Sequence, residues 1–283
     1  MDFFVVGIFA GAAYALLAVG FVLIYRGTRI FNLAQGEMGA AGLYVAWALL
    51  GRVPVFLACV VGVIVAAFVG LVMERTLVRR LANRTPLAAL AAMLGAGLTL
   101  AYAEAFIWGV NIKTFPQPFG DWSVRIAGVT LTSSRVVSLI IAAAVAAGLV
   151  VFLKRTRFGL EVSAATSDRT LARLSGISVD RTRAFVWAIG GALSGVAAIL
   201  IASVETFHPL SVTLVMVRAL TAALLGGLSS ITGAFVGGIA VGITEALVIS
   251  RTTVPGAADA AIFVVLLVGL LVRPQGVLGA REA

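Results

Sequence analysis

Charge is scarce in this chain. Asp, Glu, Lys and Arg together make up 12% of its 283 residues, against about 25% in an average soluble domain. Hydrophobic residues account for 61% and the mean hydropathy is +1.11. A soluble globule of this length has too little interior for that much apolar surface, and a disordered chain is poor in apolar residues. Both classes are excluded, and lipid is the solvent for most of the chain. The single cysteine, Cys59, excludes an intrachain disulfide and a Cys-based metal site. It lies in a charge-free run and reads as an inert packing residue. The single histidine, His208, excludes a His-pair metal motif, so no metal ligands are expected. Only two lysines occur, Lys113 and Lys154, and neither follows a glycine. The phosphate-cradling Gly-x-x-x-x-Gly-Lys-Ser/Thr loop is therefore absent, and no catalytic residues or bound cofactor are expected. No basic n-region precedes the first apolar stretch, so a cleavable signal peptide is not expected either.

What remains is a series of apolar runs. About 20 apolar residues cross the hydrocarbon core as a helix. Candidates are Phe3–Tyr25, Gly36–Leu50, Val53–Met73, Pro86–Gly109, Val136–Leu153, Ala184–Val204, Leu214–Gly227, Ile231–Ile249 and Ala257–Val272, of which Gly36–Leu50 and Leu214–Gly227 are short. Backbone in lipid must satisfy its own hydrogen bonds, and these runs are too long for barrel strands, so the expected class is an all-α polytopic membrane protein. The net charge of +9 reads as cytoplasmic loops, not as a nucleic-acid surface. Placing 74–85 and 154–183 inside is consistent with the intervening crossings, and it puts the N-terminus outside and the tail from Arg273 inside. Fifteen of the 21 basic residues then lie inside. The outer loop 111–135 fits a short hairpin, an interfacial segment or a plain surface loop.

Ionisable residues within spans are costly and default to functional hypotheses. Arg218, Glu245, Glu104 and Asp259 qualify, with Glu37 near an interface. Arg218 and Glu245 lie in neighbouring runs and suit an ion pair that faces the bundle interior. Small-xxx-small pairs recur at Gly7/Gly11, Gly191/Gly195, Gly233/Gly237 and Gly238/Gly242, a spacing that lets helix backbones approach closely. The run LLGGLSSITGAFVGG at 224–238 reads either as a helix broken at Gly226–Gly227 or as a tight turn between two spans.

The loop Lys154–Arg183 reads as a folded docking element, with a solvated basic loop that only sets topology as the alternative. Gly159 and Gly176 bracket it. Ser167 is the expected N-cap of a helix Asp168–Ser175, and Gly176 its left-handed stop. Leu171 and Leu174 share one face and would fill an apolar groove on a partner, and Arg169 and Arg173 share another and would meet its acidic rim as free charges.

That loop, GLEVSAATSDRTLARLSGISVDR at 159–181, resembles the coupling segment of the branched-chain amino acid ABC transporter permeases. FNLAQGEMGAAGLYV at 31–45 resembles their N-F-A-H/Q-G-E block. MERTLVRRL at 73–81, RALTAALLGGLSSITGAFVGGIAVGITEAL at 218–247 and RPQGVLG at 273–279 match further blocks in order. Size and the short N-terminus look like the LivH-type subunit and not its LivM-type partner. The resemblance implies a single permease domain over 1–283, a type II importer-like bundle of about 8–9 transmembrane helices with short or broken helices, and multi-pass residence in a bacterial inner membrane. It implies as partners a second, LivM-like permease, two cytoplasmic ATPase subunits that hold the ATP, and an extracytoplasmic binding protein, with membrane lipid around the bundle and no nucleic acid. The coupling residues would be Gly159, Glu161, Asp168, Arg169, Leu171, Arg173, Leu174 and Gly176. Translocation or gating would fall to Asn32, Gln35, Glu37, Arg218, Gly226, Gly227 and Glu245. Relatives with the same blocks carry urea or short amides, which stands as an alternative cargo. An ion-coupled secondary transporter is the alternative class, and a channel or scaffold a more remote one.

Overall fold

A computed structural model describes residues 2–81, 84–120, 122–126, 129–209, 211–273 and 275–278. Pro274 and Gly279 of the tail block lie outside the described residues. Twelve helices follow in order: α1 Asp2–Thr28, α2 Gln35–Leu49, α3 Val55–Met73, α4 Arg79–Leu81, α5 Pro86–Trp108, α6 Ser133–Arg155, α7 Arg157–Ser167, α8 Arg169–Leu174, α9 Val179–Ala202, α10 Ser211–Gly226, α11 Ile231–Ile249 and α12 Ala257–Val272. A π-helical turn, Glu74–Val78, joins α3 to α4. Among the described residues, six helices are long and apolar enough to cross a membrane: α1, α3 with its extension, α5, α6, α9 and α11. Three more are apolar but short, α2 at 15 residues and α10 and α12 at 16 each. The molecule is thus a multi-helix membrane protein. Its strands among the described residues form one hairpin, β1 Ser123–Ile126 paired antiparallel with β2 Val129–Thr132. The hairpin alternative for 111–135 is the one observed.

α1 is the hub. It packs against α6, α9, α10 and α11, and residues Leu16 to Val19 are fully buried. It is antiparallel to α11, and small residues form the seam. A methyl group on Gly11 would sit 2.7 Å from the Gly238 carbonyl oxygen and 2.8 Å from the Ile239 Cα. Gly191 and Gly195 meet α3 at Ala66, and Gly233 and Gly237 meet α10 at Gly226 and Ala222. All four small-xxx-small pairs therefore lie on helix seams. With lipid on the outside, close backbone approach supplies the packing that a hydrophobic drive supplies in water.

The run 224–238 is a tight turn between antiparallel α10 and α11. α10 stops at Gly226, Gly227 takes φ +100°, and the Ser230 hydroxyl caps α11 by accepting from the Gly233 N–H at 3.0 Å. The tail hooks beneath this turn: the Val277 N–H donates to the Leu225 carbonyl at 2.8 Å.

α2 differs from an ordinary short span. Its first residue, Gln35, lies against Gly190 and Ser194, midway along α9. From there α2 runs beside the second half of α9 to the turn at Leu50–Val53. Residues 29–34 are not helical. They fold back from the end of α1 into the bundle, where Asn32 and Ala34 are buried and Phe31 packs against the rings of Phe21 and Tyr25. Irregular backbone at such depth is tolerated only inside protein or against a water-lined cavity.

Gly11→Val should cost about 1–3 kcal/mol or more, because the neighbour it meets is backbone that cannot move aside. Gly148→Ala, a glycine in α6 with open space around its Cβ position, should be neutral or gain up to about 1 kcal/mol. Thermal melts of the purified variants in detergent check both, and equal Tm values for the two would refute the seam.

Candidate functional site

Three polar clusters and one surface knob hold the chemistry-bearing residues. The first cluster secures the α2 start. Backbone leaving one helix and entering another inside the bundle has N–H and C=O groups that water cannot reach. Asn32 replaces the water. Its Oδ1 accepts from the Ala34 N–H at 3.2 Å, and its Nδ2 donates to Gln35 Oε1 at 2.8 Å and reaches Met38 Sδ at 3.2 Å. Gln35 Nε2 donates onward to Ser194 Oγ at 2.5 Å and the Gly190 carbonyl at 3.2 Å. Asn32 and Gln35, expected from the sequence, are thus joined. Ser194 of α9 completes the chain and carried no sequence signal.

The second cluster sits one step along α2. Glu37 accepts a hydrogen bond from the Thr213 hydroxyl of α10, and its other oxygen finds no donor among the described residues. Glu104 of α5 is 2% exposed, and neither of its oxygens has a donor among the described residues. The two carboxyl groups interact, and the buried Tyr44 hydroxyl, also without a partner there, lies within their field. The lone charge of Glu104 in its span was legible. Its pairing with Glu37 and Tyr44 was not, because 67 residues separate Glu37 from Glu104.

The third cluster joins four helices. Arg218 of α10 pairs through Nη1 with Glu245 of α11, and through Nε with Asp259 of α12 at 2.8 Å. Nη1 also donates to the Tyr14 hydroxyl of α1 at 2.9 Å, and that hydroxyl donates to Glu245 Oε2 at 2.7 Å. The expected Arg218–Glu245 pair is present, and Tyr14 and Asp259 enlarge it. Gly226 and Gly227 stand apart from all three clusters, at the α10–α11 turn.

The knob comprises α7 and α8. The Thr156 hydroxyl caps α7, and the absent side chain of Gly159 lets α7 fold against the last turn of α6, where any Cβ would collide with Leu153. The N-cap of α8 is Asp168 and not Ser167. Asp168 Oδ1 accepts from the N–H groups of Thr170 and Leu171 at 2.7 and 3.0 Å, whereas Ser167 ends α7 and its hydroxyl bonds back to the Ser163 carbonyl. A carboxylate holds two orphan donors at once and suits the positive helix end. Gly176 closes α8 with φ +82°, and the Gly176 and Ile177 N–H groups return to the Arg173 and Ala172 carbonyls at 3.0 Å each. Leu171 and Leu174 project from the knob, 61% and 80% exposed. Glu161 and Arg173 face α9, within 3.5 Å of the Thr182 hydroxyl and 4.0 Å of Asp180 respectively.

Arg169 departs from expectation. It is not a free rim charge: its Nη2 donates to the Thr28 carbonyl at 3.2 Å. Burial, and then the charges of Arg183 and Arg173, lower its pKa from the ordinary value. Thr166 adds a second tie, its hydroxyl shared between the Arg26 carbonyl at 2.7 Å and the Val162 carbonyl at 2.6 Å. The knob is therefore fastened to the last turn of α1. A cavity of about 460 Å³ separates it from the α10–α11 turn, with Gly159 and Ser163 on one side and Ser229 and Thr232 on the other. Among the described residues, no three His, Cys, Asp or Glu side chains are grouped to hold a metal ion.

Residues 3–271 match the family described as the branched-chain amino acid transport system permease component. The chain is 30% identical to the LivH permease protein of the Escherichia coli high-affinity branched-chain amino acid transport system, over 98% of this chain and 94% of that protein. It is 31% identical to the BraD permease protein of Pseudomonas aeruginosa, with the same coverage. It is 32% identical to a probable branched-chain amino acid permease protein LivH of Methanocaldococcus jannaschii, over 93% of this chain and 88% of that one.

Asn32→Leu should strand the Ala34 N–H and Gln35 Oε1 in the interior, at about 1–3 kcal/mol for each buried group left unpaired. Ser194→Ala removes only the far end of the chain of bonds and should cost less. Chemical or thermal denaturation in detergent gives the ranking, and an equal or reversed order would show that Asn32 does not hold the α2 entry.

Proposed function

The chain belongs to the family of branched-chain amino acid transport system permease components, and on that premise we propose that it forms half of the translocation path of an ABC importer for branched-chain amino acids. It is a transport subunit and not an enzyme. Substrate arrives from an extracytoplasmic binding protein, a second permease subunit completes the path, and two ATPase subunits grip the knob. The membrane is the bacterial inner membrane, with the N-terminus outside, and eight or nine segments cross or enter it once α2, α10 and α12 are included. The curated relatives are all named for branched-chain amino acids, which favours that cargo over urea or amides. The family match leaves the ion-coupled alternative without support.

One observation carries the mechanism: the knob is bonded to the carbonyls of Arg26 and Thr28, and the chain runs from there directly into the buried segment that starts α2. A push on Leu171 and Leu174 therefore moves the end of α1, and with it Asn32, Gln35 and Glu37. Buried apolar anchors carry most of the affinity in such a contact. In this scheme Glu37, Glu104 and Tyr44 offer acceptors along the path for a cargo's ammonium group. The Arg218 cluster, with every charge paired, fixes α10, α11 and α12 to the hub.

Leu174→Asp should abolish co-purification of the ATPases and uptake into proteoliposomes, while Arg169→Ala should keep assembly and lower uptake by loosening the tie to α1. Full assembly and uptake with Leu174→Asp would refute the docking assignment. For orientation, Ser123→Cys should react with an impermeant maleimide on intact cells and Ser167→Cys only after the membrane is opened. The opposite pattern would invert the topology.

A further inference from the structure

The first turn of α9 and the end of α3 enclose a groove of about 560 Å³ that nothing in the coupling scheme uses. Its rim is basic, formed by Arg75, Arg79 and Arg181. Its wall is apolar and belongs to the spans: Leu71 from α3, with Ala184, Phe185 and Ala188 from α9. The rim charges are unequally engaged. Arg79 is held at 3.2 Å by the buried Glu74, which also takes Arg183 at 3.4 Å. Asp180, the acidic residue of the rim, is occupied by Arg183 at 3.2 Å. Arg75 and Arg181 are exposed and have no carboxylate partner among the described residues, and Arg181 lies over the Phe185 ring at 5.7 Å.

The position selects the occupant. Arg75 follows the exposed face of α3, where Phe56, Ile64, Phe68 and Val72 point away from the protein. The groove adjoins that flank, since Leu71 and Arg75 both line it, so a cationic rim meets apolar residues of two membrane-crossing helices. A soluble protein partner would match the rim but not the wall. A lipid matches both. The π-helical turn contributes by placing Glu74 inward, which engages Arg79 and Arg183 and leaves Arg75 and Arg181 for a ligand.

We propose that this groove is a binding site for one anionic phospholipid, with its phosphate between Arg75 and Arg181 and an acyl chain along Leu71, Ala184 and Ala188. Basic pockets between transmembrane helices on the cytoplasmic side recognise such head groups. Seated there, the lipid bridges α3 to the first turn of α9, the helix that also receives the knob through Thr182 and Asp180.

The test uses the assembled transporter purified from membranes or in nanodiscs of phosphatidylcholine with graded phosphatidylglycerol, with bound lipid counted by native mass spectrometry. The wild type should retain phosphatidylglycerol in preference to phosphatidylcholine. Arg75→Gln with Arg181→Gln should weaken that retention roughly thirty-fold, at the per-residue contribution expected of basic groups near an anionic surface. Arg75→Lys with Arg181→Lys should restore most of it. Ala188→Leu, which fills the wall without altering charge, should lower retention of the lipid as well. Arg80→Gln with Arg84→Gln, an equal loss of charge on the same surface but outside the groove, should leave it unchanged. A wild type with no preference for phosphatidylglycerol would overturn the site and leave the groove to a protein neighbour. Equal losses with Arg80→Gln and Arg84→Gln together would reduce it to general surface attraction, and unchanged retention with Ala188→Leu would remove the acyl chain from the wall.

Discussion

A helix that begins halfway through a membrane bundle leaves its leading backbone where no water can hydrogen-bond to it. The organisation of this protein follows from the solution to that problem at α2. Asn32 turns its side chain back onto the Ala34 N–H, hands a hydrogen bond to Gln35, and Gln35 passes the load to Ser194 and Gly190 on α9. Short amide side chains can mimic backbone partners in this way, which is why Asn recurs where chain direction changes. The consequence is functional. The α2 start brings Glu37 to α10 and Tyr44 to the acid of α5, so a row of polar atoms lies inside an otherwise apolar molecule.

The rest of the bundle supports that row by close packing. Without a hydrophobic drive between helices in lipid, stability depends on backbones that meet at glycine and alanine. α1 and α11 do so along their lengths, α10 and α11 do so as a hairpin, and α9 does so against α3. α1 is thereby rigid through the hub and ends in the carbonyls that the knob holds. A capped, two-helix knob bonded to a rigid helix transmits displacement, whereas a solvated loop would absorb it. The same helix end leads into the irregular segment 29–34, which is partly buried and has no helical ladder to resist a change of shape.

Charges are distributed with comparable economy. At the basic end, Glu74 is fully buried yet accepts from both Arg79 and Arg183, which ties the π-helical turn to α9. Within the bundle, Arg218 meets two carboxylates and a hydroxyl. Removing a single partner of such a group leaves a buried charge uncompensated, which costs more than the pair contributes. Among the described residues, Glu37, Glu104 and Tyr44 depart from this pattern, since oxygens of all three are buried without a hydrogen-bond partner.

Composition and run length by themselves determined the solvent, the helical class and the positions of the long spans, because a chain with so few charges and such long apolar runs has no other stable state. Local chemistry was equally legible where it depended on neighbours a few residues apart: Gly176 as the stop of α8, the glycine pairs as helix seams, and Glu104 as a costly charge. The shift of the α8 cap from Ser167 to Asp168 is a local miss, since both residues can cap and the carboxylate holds two N–H groups where a hydroxyl would hold one. Tertiary structure alone decided the rest. A short apolar run reads identically whether it spans thinly or starts at mid-depth, so the entry of α2 could be known only from its contact with the centre of α9. Arg169 carries the same charge on a free rim or against the Thr28 carbonyl, and Glu37 the same charge alone or beside Glu104. Each of those outcomes rests on groups far apart in the chain, and what brings them together is the packing of glycine-lined helices, which hydropathy and periodicity do not encode.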